Sequence, residues 1–243
     1  MTDRQGAFGL AEGIDRADLR AAYQRHGHVR IGPFLTDAAA RALARHLAAR
    51  ADEWRIILNS DEKVFEIDRA TALSMAASQR AALDNAVHEA ARHGFQFRYS
   101  AIRVPDEADA RMRSPHLLDA FAAFMSGPVV LDLIRYITGR DAIAFADGQA
   151  TRYTSGDFLT AHDDDVAGKH RHAAYVLGLT EGWRPEWGGL LTFHHPNGGF
   201  SGMAPAFNTL DLFRVPQRHS VSYVTPSADG ARMSVTGWFR AQG

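Results

Sequence analysis

Apolar positions recur at helical spacing through the first 140 residues, then fall into short strand-like runs to the C-terminus. Ile14, Leu19, Ala22 and Tyr23 predict a first helix, stopped at Gly27. Thr36-Asp37 precedes Ala38–Ala49, a run of strong helix formers with Leu43 and Leu47 one turn apart. A third helix is predicted over Ala70–Arg92, ending before Gly94. A fourth starts near Ser114-Pro115, is interrupted at Gly127-Pro128, and is followed by a shorter one to Gly139. β-like pieces lie between these helices at Val29–Ile31, Val64–Ile67 and Phe95–Val104.

After Asp141 the texture changes. Ile143–Thr151, Phe158–Asp163, Ala173–Leu179, Leu190–His194, Thr209–Phe213, Ser220–Val224 and Met233–Phe239 are short runs rich in β-branched and aromatic residues, separated by Gly, Pro, Asn and Asp. Many short strands with turn signals predict a sandwich or barrel. No repeat or linker divides the chain, so the expectation is one domain over residues 1–243, with 1–140 as mostly helical support and 141–243 as a β-core. The class is α+β, mainly β.

Composition narrows the function. The chain is 46% hydrophobic and 23% charged, as soluble globular proteins are. Lys+Arg 27 against Asp+Glu 28 leaves a net charge of -1, which argues against a nucleic-acid partner. The absence of cysteine excludes disulfides, thiolate zinc sites, iron–sulfur clusters and a cysteine nucleophile. The N-terminus lacks a basic stretch followed by an apolar one, and Val129–Ile137 is short and broken by Asp132 and Arg135, so no secretory signal or membrane span is expected. The default location is the cytoplasm. No dinucleotide, P-loop or serine-hydrolase motif occurs. His88-Glu89 starts like a zincin helix, but Arg92 holds the second histidine's place, so His88 reads as a partly exposed helix residue.

The chemistry concentrates late in the chain. In a strand, alternate residues share a face, so His162 and Asp164 would point together while Asp163 and Asp165 point away. One imidazole and one carboxylate, joined by a second histidine, make the facial triad of non-haem iron oxygenases. An H-x-D alone is weak, since composition gives about one chance match in such a chain. His219 opens a later strand and Arg232 opens the last one, on which Arg232, Ser234, Thr236 and Trp238 share a face. An arginine-led face inside a β-core leaves a buried cation that an anionic ligand would pair. His194 and His195 sit at a strand end and read as rim or solvent-exposed; His170 and His172 read as surface.

Over Gln149–Arg240 the order Y-x8-H-x-D, Gly-Gly-Leu-Leu-Thr-Phe and H…R-x-x-V-x-G-W-F resembles the Fe(II)- and 2-oxoglutarate-dependent oxygenases of the prolyl-hydroxylase type. It is most similar to the catalytic domain of the eukaryotic ribosomal-protein prolyl 3-hydroxylases. The resemblance implies a double-stranded β-helix (jelly-roll or cupin-like) with supporting N-terminal helices. It implies His162, Asp164 and His219 as iron ligands, and Arg232 as partner of the distal carboxylate of 2-oxoglutarate. Tyr153 would support that co-substrate, with Tyr175 a second candidate. Fe(II), 2-oxoglutarate and O₂ would then hydroxylate an unactivated C–H, with ascorbate as a reductant.

The resemblance points to a prolyl residue in a protein or peptide. The eukaryotic relatives carry a second, non-catalytic β-domain, whereas this sequence stops at Gly243, which leaves room for another substrate. A free amino acid or biosynthetic intermediate would suit a pocket rimmed by Arg152, Arg171 and Arg240, and a cupin-like binding module is the non-enzymatic alternative. Any lid is expected to come from segment Asn59–Thr71, whose Asn-Ser-Asp-Glu-Lys start is loop-like. Oligomeric state is not legible.

Overall fold

The computed structural model describes residues 7–105 and 107–242; the first six residues, on which part of the N-terminal signal reading rests, lie outside them. Asp15 accepts hydrogen bonds from the Ala17 and Asp18 amides, which have no partner within a helix, and so opens α1 (Arg16–His26). Gly27 closes it at φ 74°, where a Cβ would come within 2.8 Å of the Arg214 guanidinium. There follow β1 (His28–Ile31), α2 (Asp37–Ala48), β2 (Arg55–Ser60), β3 (Lys63–Ile67), α3 (Arg69–Ser74), α4 (Ala77–His93) and β4 (Phe97–Arg103). Next come α5 (Ala108–Arg113), α6 (Leu117–Met125) and α7 (Pro128–Thr138), the last with Pro128 in its first turn. The C-terminal portion supplies β5 (Phe145–Ala146), β6 (Gln149–Tyr153), β7 (Phe158–His162), β8 (Arg171–Gly178), β9 (Leu191–His194), β10 (Phe200–Met203), β11 (Thr209–Arg214), β12 (His219–Val221) and β13 (Arg232–Arg240).

The strands run in the order β1-β11-β8-β13-β6-β4-β7-β12-β9-β10, with every pairing antiparallel. β4 gives one edge to β2 and divides the other between β6 and β7. The sheet therefore curls into a half-barrel, the double-stranded β-helix expected from the sequence. Strand alternation sorts its two faces. Ala173, Tyr175 and Leu177 of β8, with Val235 and Phe239 of β13, pack against Leu43, Phe121, Ile134 and Ile137 of the helices. Ala174 and Val176 face the other way and join Leu191, Phe193 and Phe213 inside the curl. Each large apolar side chain buried in the helix layer contributes about 1.5–3 kcal/mol. Among the described residues no single helix is long and apolar enough to cross a membrane; α6 and α7 pass that test only together, bent by 49°, and their apolar residues fill the core.

Several boundaries differ from the sequence reading. The long third helix is two, α3 and α4, because Met75 is extended and Gln79 accepts the Ala76 amide to start a new helix. Pro115 lies between α5 and α6 rather than inside a helix. Strands β2 and β10 were not predicted, and Ile143–Thr151 splits between β5 and β6. The Asn59–Thr71 segment, from which a lid was expected, makes the turn and second strand of the β2–β3 hairpin, with β3 close to the expected Val64–Ile67 piece, and enters α3.

α4 is tied to the sheet by Arg98. Its guanidinium donates to Asp84 of α4, to Asp157 at 3.2 Å and to the Gly156 carbonyl at 2.6 Å, with the Arg98 and Asp157 side chains only 11% and 9% exposed. Removing one partner of a buried pair strands the other charge. Arg98→Ala is expected to lower stability by about 3 kcal/mol, read as the urea midpoint. A loss below about 1 kcal/mol, the scale of a surface pair, would show that this clamp does not hold α4.

Candidate functional site

β7 ends at His162 and β12 begins at His219, and the two strands pair antiparallel with these residues opposite each other. Their rings stand 4.1 Å apart between centroids. Asp164 completes the group, though not through the strand alternation assumed from the sequence. The strand stops at His162, and Asp164 takes φ 65°, a left-handed conformation that Asp tolerates better than most residues. This turn swings its carboxylate back under the histidines while Asp163 and Asp165 stay exposed at the cavity mouth.

The carboxylate faces both imidazoles: Oδ1 is 3.4 Å from His162 Nε2, and Oδ2 is 3.4 Å from His219 Nε2. Each Nδ1 meets a backbone carbonyl, Thr160 for His162 at 3.1 Å and Gln217 for His219 at 2.7 Å. An Nδ1–H donating to a carbonyl leaves the Nε2 lone pair free and aimed at the common point. Burial pulls the His219 pKa down to about 4 and outweighs the Asp164 charge, so the imidazole is neutral at pH 7, as a ligand must be. Burial works to raise Asp164, but the His162 hydrogen bond and the two histidines outweigh it and hold the carboxylate below its ordinary value.

This donor set fits a metal ion. One ligand atom from each of His162, Asp164 and His219 lies within 4.8 Å of the others. Two donors about 2.1 Å from a shared ion at right angles would stand about 3 Å apart, close to the separations seen. Two imidazoles and one carboxylate on a single side suit ferrous iron.

The cavity beneath holds about 570 Å³ and is lined by Tyr99, Tyr153, Leu159, Thr236 and Trp238 as well as the triad. At its inner end lies Arg232, only 4% exposed, with Nη1 lacking a hydrogen-bond partner among the described residues. Its guanidinium sits 4.9 Å over the Tyr153 ring, its strand neighbour in register. Burial lowers the Arg232 pKa; nearby Tyr153 and Asp211 only partly counter it. An incompletely paired buried cation is costly, and a carboxylate ligand would satisfy it. Gly189, at φ 64°, lets the chain pass over the arginine stem; a Cβ there would come within 3.3 Å of Arg232 Cδ.

The two candidate tyrosines are placed differently. Tyr153 is buried in the cavity wall, and burial pushes its hydroxyl pKa up. Tyr175 borders the cavity from the helix side of β8, and its hydroxyl donates to the Asp147 carbonyl at 2.9 Å. Of the three arginines expected at the rim, only Arg171 lines the cavity. It lies 3.6 Å over the Trp238 ring and donates to the Asp164 carbonyl at 3.1 Å. Arg152 alternates outward onto Trp54, and Arg240 is bound to Asp147 and the Lys169 carbonyl. His194 bonds Ser220, outside the cavity. Tyr99 was missed: it stacks on Tyr153 at 5.3 Å from β4, in the half of the chain read as support. The alternation Phe97, Tyr99, Ala101 was the available signal.

These features define a double-stranded β-helix with a candidate metal site, and the comparisons point to relatives of that fold. Residues 148–240 match the family model of the 2OG-Fe(II) oxygenase superfamily, whose members use Fe(II), 2-oxoglutarate and O₂. No curated protein matches the chain. Among solved structures, a Pseudomonas putida prolyl-4-hydroxylase is 22% identical at TM-score 0.56, covering 94% of this chain and 100% of that one. A Trichoplax adhaerens prolyl hydroxylase in complex with a hypoxia inducible factor oxygen degradation domain peptide fragment is 15% identical at TM-score 0.60, covering 93% and 89%. The epimerase SnoN in complex with Fe3+, alpha ketoglutarate and nogalamycin RO is 15% identical at TM-score 0.54, covering 93% and 83%. At these identities the structural likeness establishes the fold.

The Tyr175 hydroxyl bond has a measurable consequence. Tyr175→Phe is expected to cost about 1–2 kcal/mol in the ligand-free protein, because it leaves the Asp147 carbonyl unpaired in the interior. Chemical denaturation of the two proteins checks this, and equal midpoints would free the hydroxyl for another role.

Proposed function

We propose that this protein is an Fe(II)- and 2-oxoglutarate-dependent dioxygenase that hydroxylates an unactivated C–H, with a prolyl residue in a protein or peptide as its substrate. In this reading His162, Asp164 and His219 hold the iron, and Arg232 with Tyr153 beside it holds the distal carboxylate of 2-oxoglutarate. The observation that carries it is the buried Nη1 of Arg232, which has no hydrogen-bond partner among the described residues, at the inner end of the same cavity that presents the triad. A metal group alone would not need a buried cation, whereas a dicarboxylate co-substrate would be held at its far carboxylate by Arg232.

When bound, iron, 2-oxoglutarate and O₂ supply the oxidant: 2-oxoglutarate goes to succinate and CO₂, with one oxygen atom entering succinate and the other the substrate C–H. The chain does the rest. The Thr160 and Gln217 carbonyls fix the histidine rings, and the Asp164 turn sets the carboxylate between them. Tyr99, Tyr153, Leu159 and Val221 form a largely apolar wall that excludes water from the reacting end. The prolyl substrate is supported by the motif likeness to ribosomal-protein prolyl 3-hydroxylases and by prolyl hydroxylases among the structural neighbours. A small anionic substrate is the second reading, favoured by Arg171, whose Nε has no partner and whose guanidinium borders the cavity.

Anaerobic addition of Fe(II) and then 2-oxoglutarate to the purified protein should give a weak visible charge-transfer band only when both are present. The band should vanish in His219→Ala and Asp164→Ala and persist in Asp163→Ala. Arg232→Ala should raise the 2-oxoglutarate needed by about 10-fold or more, the weight of a charge-assisted hydrogen bond, while iron still binds. No band with wild-type protein would sink the reading, as would loss of iron in Arg232→Ala. Succinate release stimulated by proline-containing peptides and not by free amino acids separates the two substrate classes.

A further inference from the structure

The cavity does not end at the triad. A wall of four rings leads from its interior to the surface: Tyr153 on Tyr99 at 5.3 Å, Tyr99 on Phe97 at 5.5 Å, and Phe97 on Phe95 at 5.5 Å. Past Phe95 a second groove of about 630 Å³ opens between the β2–β3 turn and the C-terminal end of α4, and it shares Val64, Phe95 and Phe97 with the cavity. Val64 and Phe95 are 54% and 48% exposed, large apolar side chains facing water beside the site. The two ring steps outside Tyr153, from Tyr99 to Phe95, match about three to four residues of extended polyproline-type chain at ~3.1 Å per residue. A free amino acid would leave the outer rings uncovered.

Among the described residues, the charges along this path that lack an ion pair carry one sign. Asp61 and Glu62 line the outer groove, and Asp163 and Asp165 stand at the cavity mouth; none forms an ion pair among the described residues. The basic side chains that border the path are already engaged: Arg103 with Glu66, His93 with Glu89 at 3.2 Å, and Arg171 over Trp238 and against Asp164. Lys63, next in the chain to Glu62, lines neither space. The buried guanidinium of Arg232 lies at the far inner end, where the cavity takes an anion.

We infer that the two grooves form one peptide track, and that the outer part takes a cationic flank: lysine or arginine residues next to the oxidised residue. The inference rests on the peptide reading of the substrate above. Aromatic rings and Val64 hold the extended backbone and any proline rings of the bound segment, as aromatic grooves do for polyproline-type chains. The acidic turn and mouth then select basic over acidic flanking residues and speed their approach.

The test uses binding, so that it reads the groove independently of turnover. Fluorescein-labelled peptides with a single central proline, flanked by lysines in one and glutamates in the other, are titrated with the full chain in the presence of Mn(II) and 2-oxoglutarate. Anisotropy should show the lysine peptide bound at least about 10-fold more tightly at low salt, with the preference shrinking as salt rises. Asp61→Asn combined with Glu62→Gln should weaken the lysine peptide by about two- to fivefold per carboxylate, the scale of an exposed pair, and leave the glutamate peptide no weaker. Asn tolerates the left-handed conformation of Asp61, at φ 52°, so the turn is kept, and thermal unfolding verifies the fold. Equal affinity for the two peptides, or no response to the double variant, overturns the inference. Failure of the iron and 2-oxoglutarate reading shows separately, as a missing charge-transfer band.

Discussion

The arrangement depends on β13 being paired on both sides, to β6 and to β8. A doubly paired strand cannot slip by one residue without turning every side chain to the wrong face. Its odd partners, Val235 and Phe239, are locked into the helix-packed core. Its even partners, Arg232, Thr236 and Trp238, are therefore forced into the cavity. The energy that places a cation in the interior comes chiefly from the apolar residues behind it, with the Tyr153 ring under the guanidinium adding a smaller part. The same pairing carries Tyr153 to Arg232 on one side, and Ala174 and Val176 to the cavity on the other.

The triad is held by a different device. His162 and His219 sit on paired strands, but the carboxylate lies beyond the strand end and needs a left-handed residue to reach them. That turn is fastened from outside by Arg171, which stacks on Trp238 and holds the Asp164 carbonyl. Since Trp238 is on β13, the strand that places the arginine at the inner end also steadies the acid at the outer end. The candidate metal group and the arginine end of the cavity are thus both steadied by one strand, through a stacked cation in the first case and through packing in the second.

Much of this was legible in the sequence, and for identifiable reasons. The face shared by Arg232, Ser234, Thr236 and Trp238 followed from period-two alternation, which the structure keeps. The grouping of His162, Asp164 and His219 was legible by residue type, but the reason given for Asp164 was wrong, since φ 65° at a non-glycine residue leaves no mark in the sequence. The break between α3 and α4 was invisible because it contains neither Gly nor Pro and rests on an extended Met75 and a side-chain cap from Gln79. Arg152 and Arg240 were misplaced at the rim: composition shows that arginines are nearby, while only the three-dimensional pairing shows which ones already have partners. Tyr99 was passed over because a residue distant in sequence enters the cavity wall through strand β4.

The cavity also separates charge along its length, and this bears on how it can be loaded. The inner end holds a buried guanidinium with no carboxylate of its own, the middle is ring and aliphatic surface, and the mouth carries exposed acids. In a low-dielectric interior the inner cation acts strongly over short range, whereas the mouth acids are screened by water and salt. A small dianion therefore meets only weak repulsion on entry and strong attraction once past the rings. A larger cationic chain experiences the reverse, attraction at the mouth and no reason to travel to the arginine. Two ligands of opposite charge can then occupy opposite ends of one cavity without competing, with the metal-binding group lying between them.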